Sequence, residues 1–291
     1  MTDQAIETTQ VAATSSPSPR RLRWPSAWHL VLIPLALVMV TPLAWMVMTS
    51  IQTPDEARHF PPVLPSGIHW QNYTEALAAA PFGRFFLNTS IVTGVSVLGN
   101  LILCSLAGYA FARFRFFGRE VLFIAILATL MIPFQVVMIP TFLIMRHLGL
   151  IDTLGALILP NLVTPFGIFL MRQFFKTMPD DLMHAARLDG LGEFEILWRI
   201  MVPQALPAML AFGVISIVTH WNDFFWPFIV IQSGDLATPP LGTLFFRNEE
   251  AGSDFGPLMA GTVVITAPLV LLFLAAQRRF IEGVTLSGMK G

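Results

Sequence analysis

The sequence predicts an all-α integral membrane protein with six transmembrane helices, and three observations lead there. Hydrophobic residues fill 55% of the 291 positions and charged residues only 12%, against roughly 25% charge in a soluble domain. Mean hydropathy is +0.68. The charges are also absent from six long runs, each near the ~20 apolar residues that cross a hydrocarbon core. A barrel strand would alternate polar and apolar side chains over about 10 residues, whereas these runs are apolar all round. A net charge of -1 with no basic domain argues against nucleic-acid binding, and the apolar content argues against disorder. The single cysteine, Cys104, provides neither a disulfide framework nor a thiolate metal site.

The elements follow in order. Residues 1–23 are rich in Ser, Thr, Pro and Ala and show no apolar periodicity, so they are expected to form a disordered cytoplasmic tail, with the membrane domain over 24–291. The charge-free runs are 24–54, 85–112, 121–145, 153–171, 200–222 (interrupted by Asp223, then resuming to 234) and 255–277. They place helices at about 29–50, 87–111, 121–145, 154–174, 208–230 and 257–277. The first run exceeds the apolar stretch of a signal peptide, which predicts an uncleaved first helix. Pro34, Pro42, Pro133, Pro140, Pro165 and Pro227 fall within these segments. Proline is tolerated there when neighbours satisfy the freed carbonyls, so kinked, closely packed helices are expected. Segment 52–86 is read as an external loop with a short amphipathic helix near 73–79, and 232–256 as an acidic external loop. The chain has no internal repeat of the kind secondary carriers are built from.

Orientation comes from Lys and Arg. Thirteen of the 17 fall in the N-terminal tail, the 112–120 loop, the 172–207 loop and the C-terminus. The other side receives Arg58, Arg84, Arg146 and Arg247. Both termini are therefore expected in the cytoplasm, consistent with six spans.

Segment 172–207 is the one long cytoplasmic loop between spans. It predicts two short helices. The first begins after Pro179 with Asp180 and Asp181 in its opening turn, where acids suit the helix dipole. It stops at Gly190, the residue type favoured just past a helix end. The second starts near Gly192 and Glu193 and ends before Pro203. Leu182, Ala185, Ala186 and Asp189 share one face of the first helix. Two alanines make that face low, so another protein surface can approach closely.

The spacing is specific: Ala185 and Ala186, three residues, Gly190, nine residues, Ile200, one residue, then Val202 and Pro203. It resembles the signature loop of permease subunits in binding-protein-dependent ABC importers, where the pattern is Glu-Ala-Ala, three residues, Gly, nine residues, Ile, any residue, Leu-Pro. The text Ala-Ala-Arg-Leu-Asp-Gly at 185–190 is similar to the carbohydrate branch. Further matches resemble the maltose-type second permease: Gly-Tyr-Ala-Phe-Ala-Arg at 108–113, Met-Ile-Pro-Phe-Gln at 131–135, Trp-Asn-Asp-Phe-Phe-Trp-Pro at 221–227 and Gln-Arg-Arg-Phe-Ile-Glu-Gly at 277–283. The resemblance covers about 29–291.

The resemblance implies a permease domain with the type I ABC importer fold in a bacterial or archaeal plasma membrane. Its partners would be a second permease, two ATPase subunits and an extracytoplasmic solute-binding protein. The implied ATPase-coupling residues are His184, Ala185, Ala186, Arg187, Asp189, Gly190, Ile200 and Pro203. The chain itself would hold no cofactor, with ATP and Mg bound by the ATPase, because it has no Gly-rich loop ending in Gly-Lys-Ser/Thr. Two positions depart from the pattern: His184 stands for Glu and Val202 for Leu. His184 removes a negative charge from the docking helix, which Asp180, Asp181 or a residue of the ATPase would compensate.

Asp223 is the one ionisable acid expected at membrane depth, and such groups usually face a cavity or a partner. Two readings stay open for it. With Trp221 and Asn222 it offers carboxylate, amide and indole to sugar hydroxyls, or it makes a structural contact. Gln135 and Asn161 are further substrate-path candidates, and for each an interhelical hydrogen bond is the commoner use. The spans carry no Arg for an anionic substrate and no metal-ligand spacing. A stand-alone carrier would need buried charge pairs, and an intramembrane enzyme a nucleophile or metal motif; the sequence has neither. An importer for glycerol phosphate or another polar solute remains the alternative substrate reading.

Overall fold

The computed structural model describes residues 28–248 and 252–288. The tail expected over 1–23 lies outside the described residues. Contacts divide the chain into two compact units, Met1–Ala44 and Trp45–Gly291. In the first, the described helix α1 (His29–Thr49) runs through Pro34 and Pro42 without a break and exposes a continuous apolar surface. Four described helices are long and apolar enough to cross a membrane, or up to six when each bent pair counts as one span.

In the second unit the last residues of α1 are followed by two short helices, α2 (Pro54–Arg58) and α3 (Gln71–Ala79). It is organised around α4 (Phe82–Arg113), 32 residues without a proline. The third expected helix is broken. The chain forms α5 (Arg119–Ala128), a 3-10 turn at Thr129–Met131, then α6 (Phe134–His147), with a bend of 104° between the halves. The cause is Pro133: its ring disfavours helical backbone at the residue before it, and Ile132 is extended. The fourth expected helix falls in Leu154–Thr177, which counts as one span but is interrupted locally, with α7 (Leu154–Ile158) passing through a 3-10 turn at Leu159–Asn161 before α8 (Pro165–Thr177). Thr164, extended before Pro165, caps α8 by accepting a hydrogen bond from the Gly167 amide at 3.2 Å.

In the segment after α8, α9 (Asp180–Leu188) is followed by α10 (Glu193–Glu195), a wider π segment at Ile196–Met201, and α11 (Val202–Gln204). The fifth expected helix, 208–230, stops early: α12 (Leu206–Trp221) ends at Asn222, and a separate α13 (Phe225–Val230) follows. After the short α14 (Pro239–Gly242), Arg247–Asn248 pairs antiparallel with Gly252–Ser253. The chain closes with α15 (Phe255–Gly288), longer than expected.

Helix α4 packs most extensively on α8 and then on α12. Glycine makes the closest approach possible: a Cβ at Gly108 would sit 2.9 Å from the Arg172 backbone nitrogen, and one at Gly167 2.2 Å from the Phe212 ring. Two apolar cores result. One gathers Phe85, Val92, Leu157, Trp226, Val230 and Ile265. The other gathers Cys104, Tyr109, Phe123, Phe175, Met183 and Leu197. Between Val92 and Cys104, α4 buries a polar row of Thr93, Ser96 and Asn100.

Candidate functional site

The segment 178–203 is built as follows. Pro179 precedes α9, and Asp180 and Asp181 occupy its first turn. At the other end Gly190 takes φ +83°, its amide donates to Arg187 O at 3.1 Å, and the Leu191 amide reaches back to Ala186 O at 3.0 Å. That pair of bonds is a Schellman ending, which needs a left-handed residue where Gly190 stands. The Gly192 amide then donates to Glu195 Oε2, opening the next helix. Pro203 brings no N–H for the preceding turn, and the helix is widened just before it.

The expected low face of α9 divides. Met183 and Ala186, three residues apart, are 3% exposed and pack into the second core. Ala186 therefore holds α9 to its own protein. Leu182, His184, Ala185, Arg187, Asp189 and Gly190 are exposed. Ile200 is half-buried against the core, and Pro203 is exposed. Among the described residues the His184 side chain has no hydrogen-bond or ion-pair partner, Asp180 is engaged by Arg113, and Asp181 is the acid one turn from His184 that Arg113 leaves open.

Two exposed apolar side chains stand at the tip of this segment: Leu188, 89% exposed, and Phe194, 67%. Sequence reasoning passed over both, because one apolar residue among charges carries no period. The charges around them are ordered. Glu193 accepts from Arg187 Nε at 2.8 Å and from Tyr109 Oη at 2.7 Å. Burial pushes the Glu193 carboxyl up, but the Arg187 and Tyr109 hydrogen bonds outweigh it and leave its pKa below the usual carboxylate value. Arg172, expected at a helix end, is 4% exposed. It holds both Glu120 oxygens, donates to Phe111 O, and lies 3.8 Å over the Phe123 ring.

The expected substrate-path residues lie at the helix breaks. Gln135 is the second residue of α6 and exposed. Trp221 donates its indole hydrogen to Ile265 O at 3.1 Å, tying α12 to α15. Asn222 is exposed and returns its amide to Val218 O. Asp223 Oδ1 accepts from the Trp226 amide at 3.4 Å and so caps α13. Trp226 joins the three breaks: its indole donates to Ala156 O in α7 at 2.8 Å, and the Phe134 ring of α6 meets it edge-on at 6.1 Å. Asn161, at the α7–α8 break, presents its carbonyl to Asn100 Nδ2 at 3.0 Å. Among the described residues no group of three or more His, Cys, Asp or Glu side chains gathers as a metal site.

Comparison with known proteins agrees over nearly the whole chain. The family described as binding-protein-dependent transport system inner membrane component matches residues 102–285. The arabinooligosaccharides transport system permease protein of Halalkalibacterium halodurans is 35% identical over 261 residues, 88% of this chain and 93% of that one. The sn-glycerol-3-phosphate transport system permease protein of Yersinia pestis is 30% identical, over 88% of this chain and 94% of that one. Among solved structures, a chain of a bacterial ABC transporter involved in import of the acidic polysaccharide alginate superposes with a TM-score of 0.76 at 26% identity, covering 88% of this chain and 99% of that one.

Proposed function

Because the chain belongs to the family of binding-protein-dependent transport system inner membrane components, we propose that it is the permease subunit of an ATP-driven importer whose cargo is a sugar or oligosaccharide. It lines the path together with a second permease. Two ATPase subunits, which bind ATP and Mg, take hold of α9, and an extracytoplasmic solute-binding protein delivers the cargo. The observation that carries this reading is the exposed tip of α9 and α10. Leu188 and Phe194 offer apolar area, Ala185 gives close approach, and His184, Arg187 and Asp189 offer polar contacts around it. That tip stands on a segment whose buried side, Met183 and Ala186, is fixed to the core.

The cytoplasmic placement of α9 is supported by the arginines at that end of the bundle. Arg113, Arg172 and Arg187 are linked there to Asp180, Glu120 and Glu193. The neutral cargo is supported at the helix breaks. Among the described residues there, Gln135, Asn161, Trp221, Asn222 and Trp226 are uncharged, and the ionisable groups are the acid Asp223 and the imidazole of His220, which is hydrogen-bonded to Asn100. An anion would call for helix N-termini or cations facing it. The buried cations are already taken: Arg172 has both Glu120 oxygens and Arg113 pairs with Asp180.

Purification of the tagged chain from its native membrane, followed by uptake into proteoliposomes, tests the proposal. The expected result is co-purification of an ATPase and a second permease, with ATP-dependent uptake of arabinooligosaccharides or lactose and none of glycerol 3-phosphate. Uptake of glycerol 3-phosphate alone would overturn the sugar assignment. Uptake by the chain without an ATPase would overturn the importer.

A further inference from the structure

Tyr109 and Arg113 stand one turn apart on the same face of α4, and between them they hold both ends of α9. At its start, Arg113 pairs with Asp180, the first residue of α9. Arg113 Nη2 also donates to Phe175 O and Met178 O, both at 2.6 Å, where α8 gives way to α9. At its end, Tyr109 Oη donates to Glu193 Oε2, and Glu193 Oε1 accepts from Arg187 in the last turn of α9. Tyr109 is 3% exposed and the Arg113 side chain 7%. The Arg187–Glu193 pair alone, 42% and 40% exposed, would contribute little. The buried phenol on the second carboxylate oxygen is what fixes it to the bundle.

The middle of α4 reaches the helix breaks. Asn100 Nδ2 lies 3.0 Å from Asn161 O, 3.3 Å from Ser216 Oγ and 3.3 Å from His220 Nε2. Asn161 belongs to the α7–α8 break, and His220 stands two residues before the end of α12 at Asn222. From Asn100 to Tyr109 is about 13.5 Å of helix at 1.5 Å per residue, with no proline in it. The helices around it are divided at Ile132, at 159–164 and at Asn222; α4 is continuous.

We propose that α4 is the lever of this subunit and that Glu193 is the positioning residue joining it to α9. The proposal rests on α9 being the helix the ATPase holds. A shift of α9 cannot be absorbed at its ends, since both are fastened to α4. The displacement therefore passes along an unbroken rod to Asn100 and from there to the breaks beside Asn161 and His220. Glu193 acts through Tyr109 and touches no cargo.

The test uses the assembled importer in nanodiscs with nitroxides on cysteines introduced at Leu98 of α4 and Phe228 of α13, both exposed. Cys104, 0% exposed, stays unlabelled. Trapping with MgATP and vanadate is expected to change the distance distribution of the otherwise unaltered chain. In Glu193→Gln and in Tyr109→Phe, co-purification and ATP hydrolysis are expected to persist. The shift to the trapped distance should fall about tenfold in equilibrium, the size of one hydrogen bond to a charged group. The double variant should lose no more than either single, because all three break the same link. Should Glu193→Gln fail to assemble, Tyr109→Phe, which removes one hydroxyl, decides. A full distance change in Tyr109→Phe, or additive losses in the double variant, would overturn the lever. Failure of the unaltered chain to retain the ATPase would overturn the docking assignment itself, and the lever with it.

Discussion

Arg172 donates to both carboxylate oxygens of Glu120, at 2.8 and 2.7 Å, and so binds the last turns of α8 to the first turn of α5. The guanidinium is buried and stacked on Phe123, whereas the Glu120 side chain is 53% exposed. Arg172→Leu is expected to cost about 1–3 kcal/mol, the range for a charged hydrogen-bond network half open to water. Arg172→Lys should recover little, because an ammonium cannot reproduce the two-pronged contact or the stacking. Thermal unfolding followed by a thiol-reactive dye reads this directly, since the single cysteine, Cys104, is buried in the same core.

Gly190 meets nothing within 4 Å at the position of a Cβ, so its requirement is its φ of +83° alone. Gly190→Ala is expected to destabilise the end of α9 by about 1–2 kcal/mol and to weaken ATPase retention. Gly190→Asn should be milder, because Asn tolerates the left-handed region. Equal losses for Ala and Asn in co-purification would show that backbone conformation is not the cause.

Asp223 caps α13 through the Trp226 amide, which separates its two readings experimentally. Asn keeps a capping acceptor and Ala does not, a difference of about 1 kcal/mol. Uptake and unfolding should be measured together. Asp223→Asn is expected to retain stability and lower uptake, which assigns the carboxylate charge to the path. Unchanged uptake in Asp223→Asn with destabilisation in Asp223→Ala would make the residue a cap only.

The short helix α2 carries a pH-sensitive cap. Hydrogen bonds from the Ser66 hydroxyl and from the Thr53 and Ser66 amides bring the Glu56 carboxyl down to about 2 from 4.5. A depressed carboxyl stabilises fully above its unfolded value and loses that contribution as pH falls toward the folded one. Amide exchange at Thr53 and Ser66, corrected for intrinsic rate, should therefore accelerate between pH 4.5 and 2. Glu56→Gln should remove that dependence while leaving exchange at pH 7 faster than in the unaltered chain.

The sequence was most legible where hydropathy and structure answer the same question. The runs read as helices at 29–50 and 87–111 fall in the continuous α1 and α4, α4 starting earlier at Phe82, because a continuous apolar run without a proline-forced extended residue forms a continuous helix. Gly190 was legible for a local reason, its left-handed backbone. The breaks were not. A run of apolar residues is silent on whether backbone hydrogen bonds are made within the helix, and the proline signal is ambiguous. Pro34 and Pro42 sit inside an unbroken α1, while Pro133 divides α5 from α6. The fifth helix breaks at Asn222, five residues before Pro227, where Asp223 supplies the cap. In segment 178–203 the spacing singled out the loop for its resemblance to the importer signature, but Ala186 turns inward and Leu188 and Phe194 outward. The core that receives Met183 and Ala186 includes Tyr109, 84 residues before its hydrogen-bond partner Glu193, and no local pattern encodes so distant a contact.

The central claim is that the tip of α9 is held by an ATPase subunit. A photo-crosslinking side chain at Leu188, with one at the equally apolar Leu37 of α1 for comparison, tests it in intact cells. The account predicts an adduct from Leu188 with a cytoplasmic ATPase and none from Leu37. An adduct from both, or from neither while the tagged complex is intact, would contradict it.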